Sequence, residues 1–285
     1  MIEVIGDRIN PGFKATRALV EASDLAGLQA LAVKQVEAGA VALDFTIGPR
    51  GKSDPGFLAE AIKAAQAAVN VPLCFDYPDI AVQRVCLEAY AADKTPIINS
   101  LAETRWEMTE LLKIRPCRVM LMASERLEDG VGRPNKTCEE IASTGKRAAL
   151  RLMREHGLAA VDILIDVSVS ALVADTVGLN RAALEAIGRL GSDGELGGIH
   201  ISGGLTNIGQ QLPPKAADGS DLKRQLERAF VTLAAPLGFD TVLGTPWHSF
   251  APLPEDNAVL AQFRRILELS GTDAMRAVRK LYRPG

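Results

Sequence analysis

Eight short apolar or β-branched runs alternate with longer segments of helical spacing along the 285-residue chain, and no stretch between them reads as a linker. The runs are Glu3–Ile5, Val41–Phe45, Pro72–Phe75, Pro96–Ile98, Arg118–Met122, Asp162–Ile165, Gly198–Ser202 and Thr241–Leu243. Between them lie segments such as "LAGLQALAVKQVEAGA", "PGFLAEAIKAAQAAV" and "CEEIASTGKRAALRLMREHG". The first and last of these close on glycine, as a helix C-terminus does. Eight β–α units in succession predict an α/β protein, a (β/α)8 TIM barrel, as one domain over residues 1–285. An open doubly wound sheet is the competing architecture. Against it, no G-x-G-x-x-G follows the first strand, and "GPRGKSDPG" lacks the spacing of a phosphate-binding Walker loop.

Composition narrows the partners. The chain is 47% hydrophobic and 24% charged with a net charge of −3, so it lacks the basic excess that neutralises nucleic-acid phosphates. No apolar run approaches the roughly 20 residues that span a bilayer, and "MIEVIGDRIN" lacks a signal core, so no membrane partner and a cytoplasmic location are expected. Cys74, Cys86, Cys117 and Cys138 are scattered without a C-x-x-C pair, which fits reduced structural thiols and no zinc site. Residues 214–221, "PKAADGSD", read as a polar surface loop.

A barrel of this kind collects its functional side chains where the strands end. The strand ends here carry Asn10, Asp44, Asp76, Asn99 with Ser100, Asp166, and then Asn207 and Gln210 in "GGLTNIGQQ". Each alone has a plainer use, capping the next helix by accepting a backbone N–H. Together they form a convergent set whose burial is costly unless a ligand, partner or water satisfies it. The set also excludes chemistry. No lysine falls within a strand to form a Schiff base, and no histidine cluster exists to hold a catalytic metal. Of the three histidines, His200 is read as packing inside the barrel and His156 as helix-end surface, while His248 follows the last strand at a position able to line the pocket. A ring of carboxylates and amides suits a neutral, flat heterocycle rich in hydrogen-bonding groups. A pterin has an exocyclic amine and a ring N–H for Asp76 or Asp166 to accept, and a carbonyl and ring nitrogen to complement Asn99.

In these residues the chain resembles the pterin-binding methyltransferases that exchange a methyl group between methyltetrahydrofolate and a corrinoid protein. The resemblance rests on "IGDRIN", "GAVALDFTIGP", "LCFDYPD", "PIINS", "DILIDV" and "GGLTNIGQ", in that order at successive strand ends. It implies that Asp76, Asn99 and Asp166 hold the pterin ring. It also implies that Asn207 contacts the methyl-bearing ring nitrogen with Gln210 close by, and that Asn10 and Asp44 complete the pocket. A tertiary amine is a poor leaving group, so that nitrogen must be protonated or strongly hydrogen-bonded in the transition state. Asn207 is expected to supply the electrostatic part, and a water network anchored by Asp44 or Asp76 the proton.

The resemblance further implies tetrahydrofolate or methyltetrahydrofolate as substrate, a homodimer, and cobalamin delivered by a separate corrinoid protein, since the chain has no D-x-H-x-x-G corrinoid motif. Three positions depart from the family pattern. Asp7 stands in place of Glu, Tyr77-Pro78 in place of small hydroxyl residues, and Gly209 in place of Ser. Tyr77 either stacks on the pterin or packs under the following loop. Two other functions compete. A dihydropteroate synthase would need cations at the seventh strand, and "SGGLTNIGQQ" contains none. A non-catalytic pterin carrier on the same barrel would bind and do nothing more.

Overall fold

The structure, a computed structural model, describes residues 2–283; residues 1, 284 and 285 of the expected span lie outside it. Each of the eight runs forms a strand, and the eight close into one parallel barrel. In chain order the strands are β1 (Glu3–Ile9), β2 (Ala42–Phe45), β3 (Leu73–Asp76), β4 (Ile97–Leu101), β5 (Arg118–Met122), β6 (Glu125–Glu128), β7 (Val131–Pro134), β8 (Ile163–Asp166), β9 (His200–Gly204) and β10 (Thr241–Gly244). Barrel neighbours follow the chain, with β10 closing on β1, while β6 and β7 stand outside as an antiparallel hairpin.

The helices are α1 (Lys14–Glu21), α2 (Leu25–Glu37), α3 (Arg50–Ser53), α4 (Pro55–Ala68), α5 (Ile80–Ala89), α6 (Cys138–His156), α7 (Leu179–Gly191), α8 (Leu222–Ala234), α9 (Ala258–Leu267) and α10 (Gly271–Lys280). Their ends are written locally. The Thr137 side chain accepts the Glu140 N–H while Glu140 reaches back to the Thr137 backbone, and Gly157 closes α6 in the left-handed region at φ 67°. Asp24, Asp54, Asp79, Asp221 and Asn257 cap α2, α4, α5, α8 and α9. None of these caps belongs to the strand-end set, so its members are left for another use.

Strand alternation sorts the barrel into layers, because residues paired across parallel neighbours face the same way. Ile5, Ala42, Cys74, Ile97, Met120 and Leu164 form an apolar plug inside the barrel. One inward position further along stand Asp7, Asp44, Asp76, Asn99, Met122 and Asp166; Asp76 pairs with Asn99, and Met122 with Asp166. The outward positions, among them Leu43, Phe45, Phe75, Leu121 and Val242, are fully buried under the helices. Below the polar layer lie buried apolar side chains that offer it no hydrogen bonds, and above it lies the barrel mouth.

The hairpin was not anticipated. Its turn is Asp129-Gly130, both at positive φ (51° and 77°), the dipeptide and geometry that a tight hairpin favours. Another unanticipated device is Gln83 on α5, fully buried, whose Nε2 donates to the carbonyls of Phe75 (2.6 Å), Tyr77 (3.0 Å) and Asn99 (2.9 Å). These carbonyls sit where β3 and β4 leave the sheet ladder, so one amide fixes the ends that carry Asp76 and Asn99. The two protons of that NH2 are shared among the three carbonyls, and Asn99 O also accepts the Tyr77 N–H at 3.0 Å, so Gln83→Leu takes the side-chain donor chiefly from Phe75 and Tyr77. We expect a loss of roughly 2–4 kcal/mol in chemical denaturation, since unpaired buried polar groups cost about 1–3 kcal/mol each and partial relaxation is available.

Candidate active site

The polar ring sits at the C-terminal mouth of the barrel and is built from four carboxyls. Asp44, 3% exposed, accepts from Asn99 Nδ2 at 3.0 Å. That bond fixes the Asn99 amide, leaving its oxygen turned away from Asp44. Asp166, 5% exposed, accepts the Ser168 N–H at 2.7 Å and the Ser168 hydroxyl at 3.4 Å. Asp76 is half-buried, with the Arg105 guanidinium as the cation acting on it. Asp7 completes the set, accepting from Thr206 Oγ1 at 2.6 Å and Thr245 Oγ1 at 3.3 Å.

Burial dominates the electrostatics. It raises the carboxyl pKa of Asp7, Asp44 and Asp76, with Asp76 pushing Asp44 further and Arg105 partly opposing the rise at Asp76. Burial lifts Asp166 to about 6, against the Ser168 hydrogen bonds that pull it down. The Cys74 thiol, buried beneath Asp44, is also held well above its ordinary value by burial and by that neighbour. Arg105 Nη2 lies 3.2 Å from Ser100 Oγ and 3.8 Å from Glu125, while its Nε is buried with no hydrogen-bond partner. The site thus holds acceptors in excess and a donor without an acceptor, a polarity that matches a ligand edge bearing both.

Asn207 and Gln210 stand at the rim, both exposed, in the turn that follows β9. Gln210 Nε2 donates to Asn207 Oδ1 at 2.7 Å. Gly204 is the inward position at the end of β9, and a Cβ there would lie 3.1 Å from Asn207 Nδ2. The amide therefore lies close over the inward face of Gly204, where a side chain would push it aside. Thr206, its neighbour, is tied to Asp7 across the barrel, so β1 and the β9 turn are fastened together.

Of the residues expected from sequence, Asp44, Asp76, Asn99 and Asp166 share the interior and Asn207 and Gln210 the rim. Asn10 lies in the loop after β1 with its Oδ1 accepting the Gly12 N–H at 2.8 Å, and it bonds to no member of the ring. Asp7 and Arg105 were missed. Asp7 was legible as the next inward position after Ile5, whereas Arg105 sits in an irregular turn with φ −134° that no periodicity marks. Tyr77 packs not under the loop that follows it but under the one after β2: its ring is buried and its hydroxyl accepts the Ile47 N–H at 2.7 Å. His248 turns outward to Glu227 at 2.8 Å and lines a cavity of about 610 Å3 on the outer face of β1 and β10. That cavity is apolar, lined by Val4, Val231, Phe239 and Phe250 among others, and collects no comparable set of polar groups. His200 bonds Asp240 at 2.8 Å at the opposite end of the barrel from the mouth.

The model of the pterin binding enzymes matches residues 15–243 of the chain. The chain belongs to the pterin-binding enzyme family. Among curated relatives of this pterin-binding enzyme, the methylcorrinoid:tetrahydrofolate methyltransferase of Eubacterium limosum is 26% identical over 250 residues, covering 85% of this chain and 84% of the relative. Among solved structures, dihydropteroate synthase from Burkholderia cenocepacia superposes with a TM-score of 0.58 at 20% identity, covering 98% of this chain and 93% of that one. Dihydropteroate synthase from Thermus thermophilus gives 0.57 at 17% identity, over 94% and 92%. At these identities the solved structures establish the shared barrel. No helix is long and apolar enough to cross a membrane, and no group of three metal-ligating side chains occurs, among the described residues.

The buried acid ring sets a pH dependence. A folded-state pKa of about 6 at Asp166, above the ordinary 3.8, means the folded protein holds that proton more tightly than the unfolded chain. Its contribution is intact below about pH 4 and is lost as pH rises through about 6, a change on the order of 2–3 kcal/mol. Without ligand, the Asp166→Asn protein is expected to be more stable than wild type by that amount near pH 7.5 and about equal to it near pH 4. Denaturant melts at the two pH values check this; an equal difference at both would contradict it.

Proposed function

We propose that the protein is a methyltransferase that moves a methyl group between tetrahydrofolate or methyltetrahydrofolate and a corrinoid cofactor carried by a separate protein docking at the barrel mouth. The observation that carries this reading is the Asn207 amide, folded over Gly204 above the buried acid ring. The Eubacterium limosum relative and the matching motifs at successive strand ends support it. A homodimer and a cytoplasmic setting belong to the same proposal on the family resemblance and composition alone.

In this mechanism Asp166 and Asp76 accept from the exocyclic amine and ring N–H of the pterin, which repays their desolvation and holds the ring plane fixed. Asn99, oriented by Asp44, meets the neighbouring ring nitrogen or N–H, and the Arg105 guanidinium balances the charge of Asp76. Asn10 extends the rim. The bound corrinoid supplies the cobalt centre that accepts or donates the methyl group. Asn207 bonds the methyl-bearing nitrogen, whose charge changes as the carbon–nitrogen bond is broken or made. Asn is suited to that task because it stays uncharged throughout. Asp7, buried and fastened to Thr206, stands with Asp44 and Asp76 as a carboxyl from which a water chain can draw the proton. The turn at residues 204–211 contains no lysine or arginine to receive a diphosphate, which separates this reading from pterin condensation.

The test is methyl transfer followed by cobalamin absorbance, with reduced free cobalamin plus methyltetrahydrofolate and with methylcobalamin plus tetrahydrofolate. We expect transfer in both directions by wild type. Asn207→Ala should slow it roughly 100-fold or more, the effect typical of removing one donor at a developing charge, with pterin still bound. Tight pterin binding by wild type with no transfer to either free cobalamin or a native corrinoid protein would overturn the proposal.

A further inference from the structure

Two loops at the barrel mouth hold a cation that has no partner. Arg8 follows the inward-facing Asp7 on β1, and strand alternation turns it to the other side. Its backbone is fixed there by Gln35, which accepts its N–H at 2.9 Å, and by the Thr16 hydroxyl, which donates to its carbonyl at 2.6 Å. The guanidinium lies 3.6 Å from the centre of the Phe13 ring, in the loop after β1, and 5.6 Å from that of Trp247, in the loop after β10. The Lys34 ammonium stands 4.5 Å from the same Trp247 ring. Arg8 is half-buried, and burial lowers its pKa with Asp7 as the carboxyl opposing the fall. Even so, its side-chain N–H groups make no hydrogen bond or ion pair among the described residues, and those of Lys34 make none either. Contact with an aromatic face leaves the in-plane N–H edge of a guanidinium free, and that edge matches a carboxylate. Lys14 and Arg17, exposed on α1, extend the positive rim.

We propose that Arg8 and Lys34, set on Phe13 and Trp247, form a subsite for the glutamate carboxylates of the folate tail, so that the protein selects folates carrying a poly-γ-glutamate chain. This rests on the folate reading of the mouth. In that reading Asp166, Asn99 and Asp76 hold the pterin ring from β8, β4 and β3. The tail springs from the ring carbon bonded to the methyl-bearing nitrogen, which Asn207 meets at the tip of β9. Beyond β9 the barrel continues to β10 and then β1, away from the strands that hold the ring. The tail therefore leaves over the loops that carry Trp247 and Phe13. There the aminobenzoyl ring meets the aromatic edge and the first glutamate meets Arg8. Each further γ-linked residue brings one more carboxylate to Lys34 and the α1 cations.

The probes are a methylated tetrahydropterin with no tail and methyltetrahydrofolate with one and with three glutamates. Calorimetric dissociation constants are compared for wild type, Arg8→Gln and the exposed Lys34→Gln. Ratios between ligands cancel any change that the Arg8 substitution makes at the ring pocket through Asp7. Wild type should bind the triglutamate roughly three- to tenfold more tightly than the monoglutamate, the worth of one or two exposed ion pairs, and the gain should shrink as salt is raised. Lys34→Gln should reduce that gain to about twofold or less, and Arg8→Gln should also weaken the monoglutamate relative to the tail-less pterin. Equal affinity of wild type for one and three glutamates, or the same ratios in all three proteins, would overturn the subsite while leaving the ring pocket standing. Unchanged ratios with weaker transfer to a corrinoid protein would assign the patch to that partner and equally overturn it. Failure of wild type to bind even the tail-less pterin or the monoglutamate would overturn the folate reading and this inference with it.

Discussion

Four carboxyls, two of them buried and two half-buried, converge at one end of the barrel, and that constraint organises the rest of the molecule. Asp7, Asp44, Asp76 and Asp166 gain little from counter-charge, with Arg8 acting on Asp7 and Arg105 on Asp76. Burial raises each of them, and Asp76 and Asp7 raise Asp44 further. A protein bears such a cost where something else repays it, which makes the ring a binding feature rather than a packing one. The apolar plug lies beneath it, while side chains from the helices and from the loop after β3 hold the strand ends. Gln83 does so for β3 and β4, Tyr77 for the loop after β2, and Gln35 for β1, where its Oε1 accepts the Arg8 N–H at 2.9 Å.

The barrel is shared with dihydropteroate synthases, yet a fold does not settle a reaction. In the proposed methyl transfer the uncharged Asn207 amide at the tip of β9 faces a centre whose charge changes, and the turn that carries it holds no lysine or arginine. The Thr206–Asp7 bond joins that tip to β1, 199 residues away in sequence, so the orientation of Asn207 depends on closure of the whole barrel. This is a reason for a large scaffold beneath a small site.

Much of this was legible in the sequence because periodicity is a local property. The eight runs locate the eight strands to within a few residues, and the polar residues at their ends give Asp44, Asp76, Asn99 and Asp166. β1 was read too short because its final stretch, "GDRI", alternates poorly and carries an irregular register against β2. The same misreading concealed Asp7. The hairpin after β5 had its Asp129-Gly130 signal in plain view, but a barrel reading had no place for two extra strands. Arg105 and Gln83 lie beyond such a reading for another reason: Gln83 reaches back to Phe75 and forward to Asn99, and Arg105 acts on Asp76 and Glu125, so only tertiary placement pairs them. His248, open to assignment from its position after the last strand, is turned outward by buried Glu227.

The measurement that bears most directly on the acid ring as a pterin cradle is proton release on ligand binding. Methyltetrahydrofolate is titrated calorimetrically near pH 6 in buffers of different ionisation enthalpy, and the result for Asp166→Asn is subtracted from that for wild type. A free-protein pKa of about 6 leaves Asp166 about half protonated there, and ligand donors favour its ionised form. We expect release of a fraction of a proton per site, vanishing near pH 8, with affinity rising as pH passes from about 5 to 7. Proton uptake, or binding with no proton exchanged and no dependence on Asp166, would contradict the account.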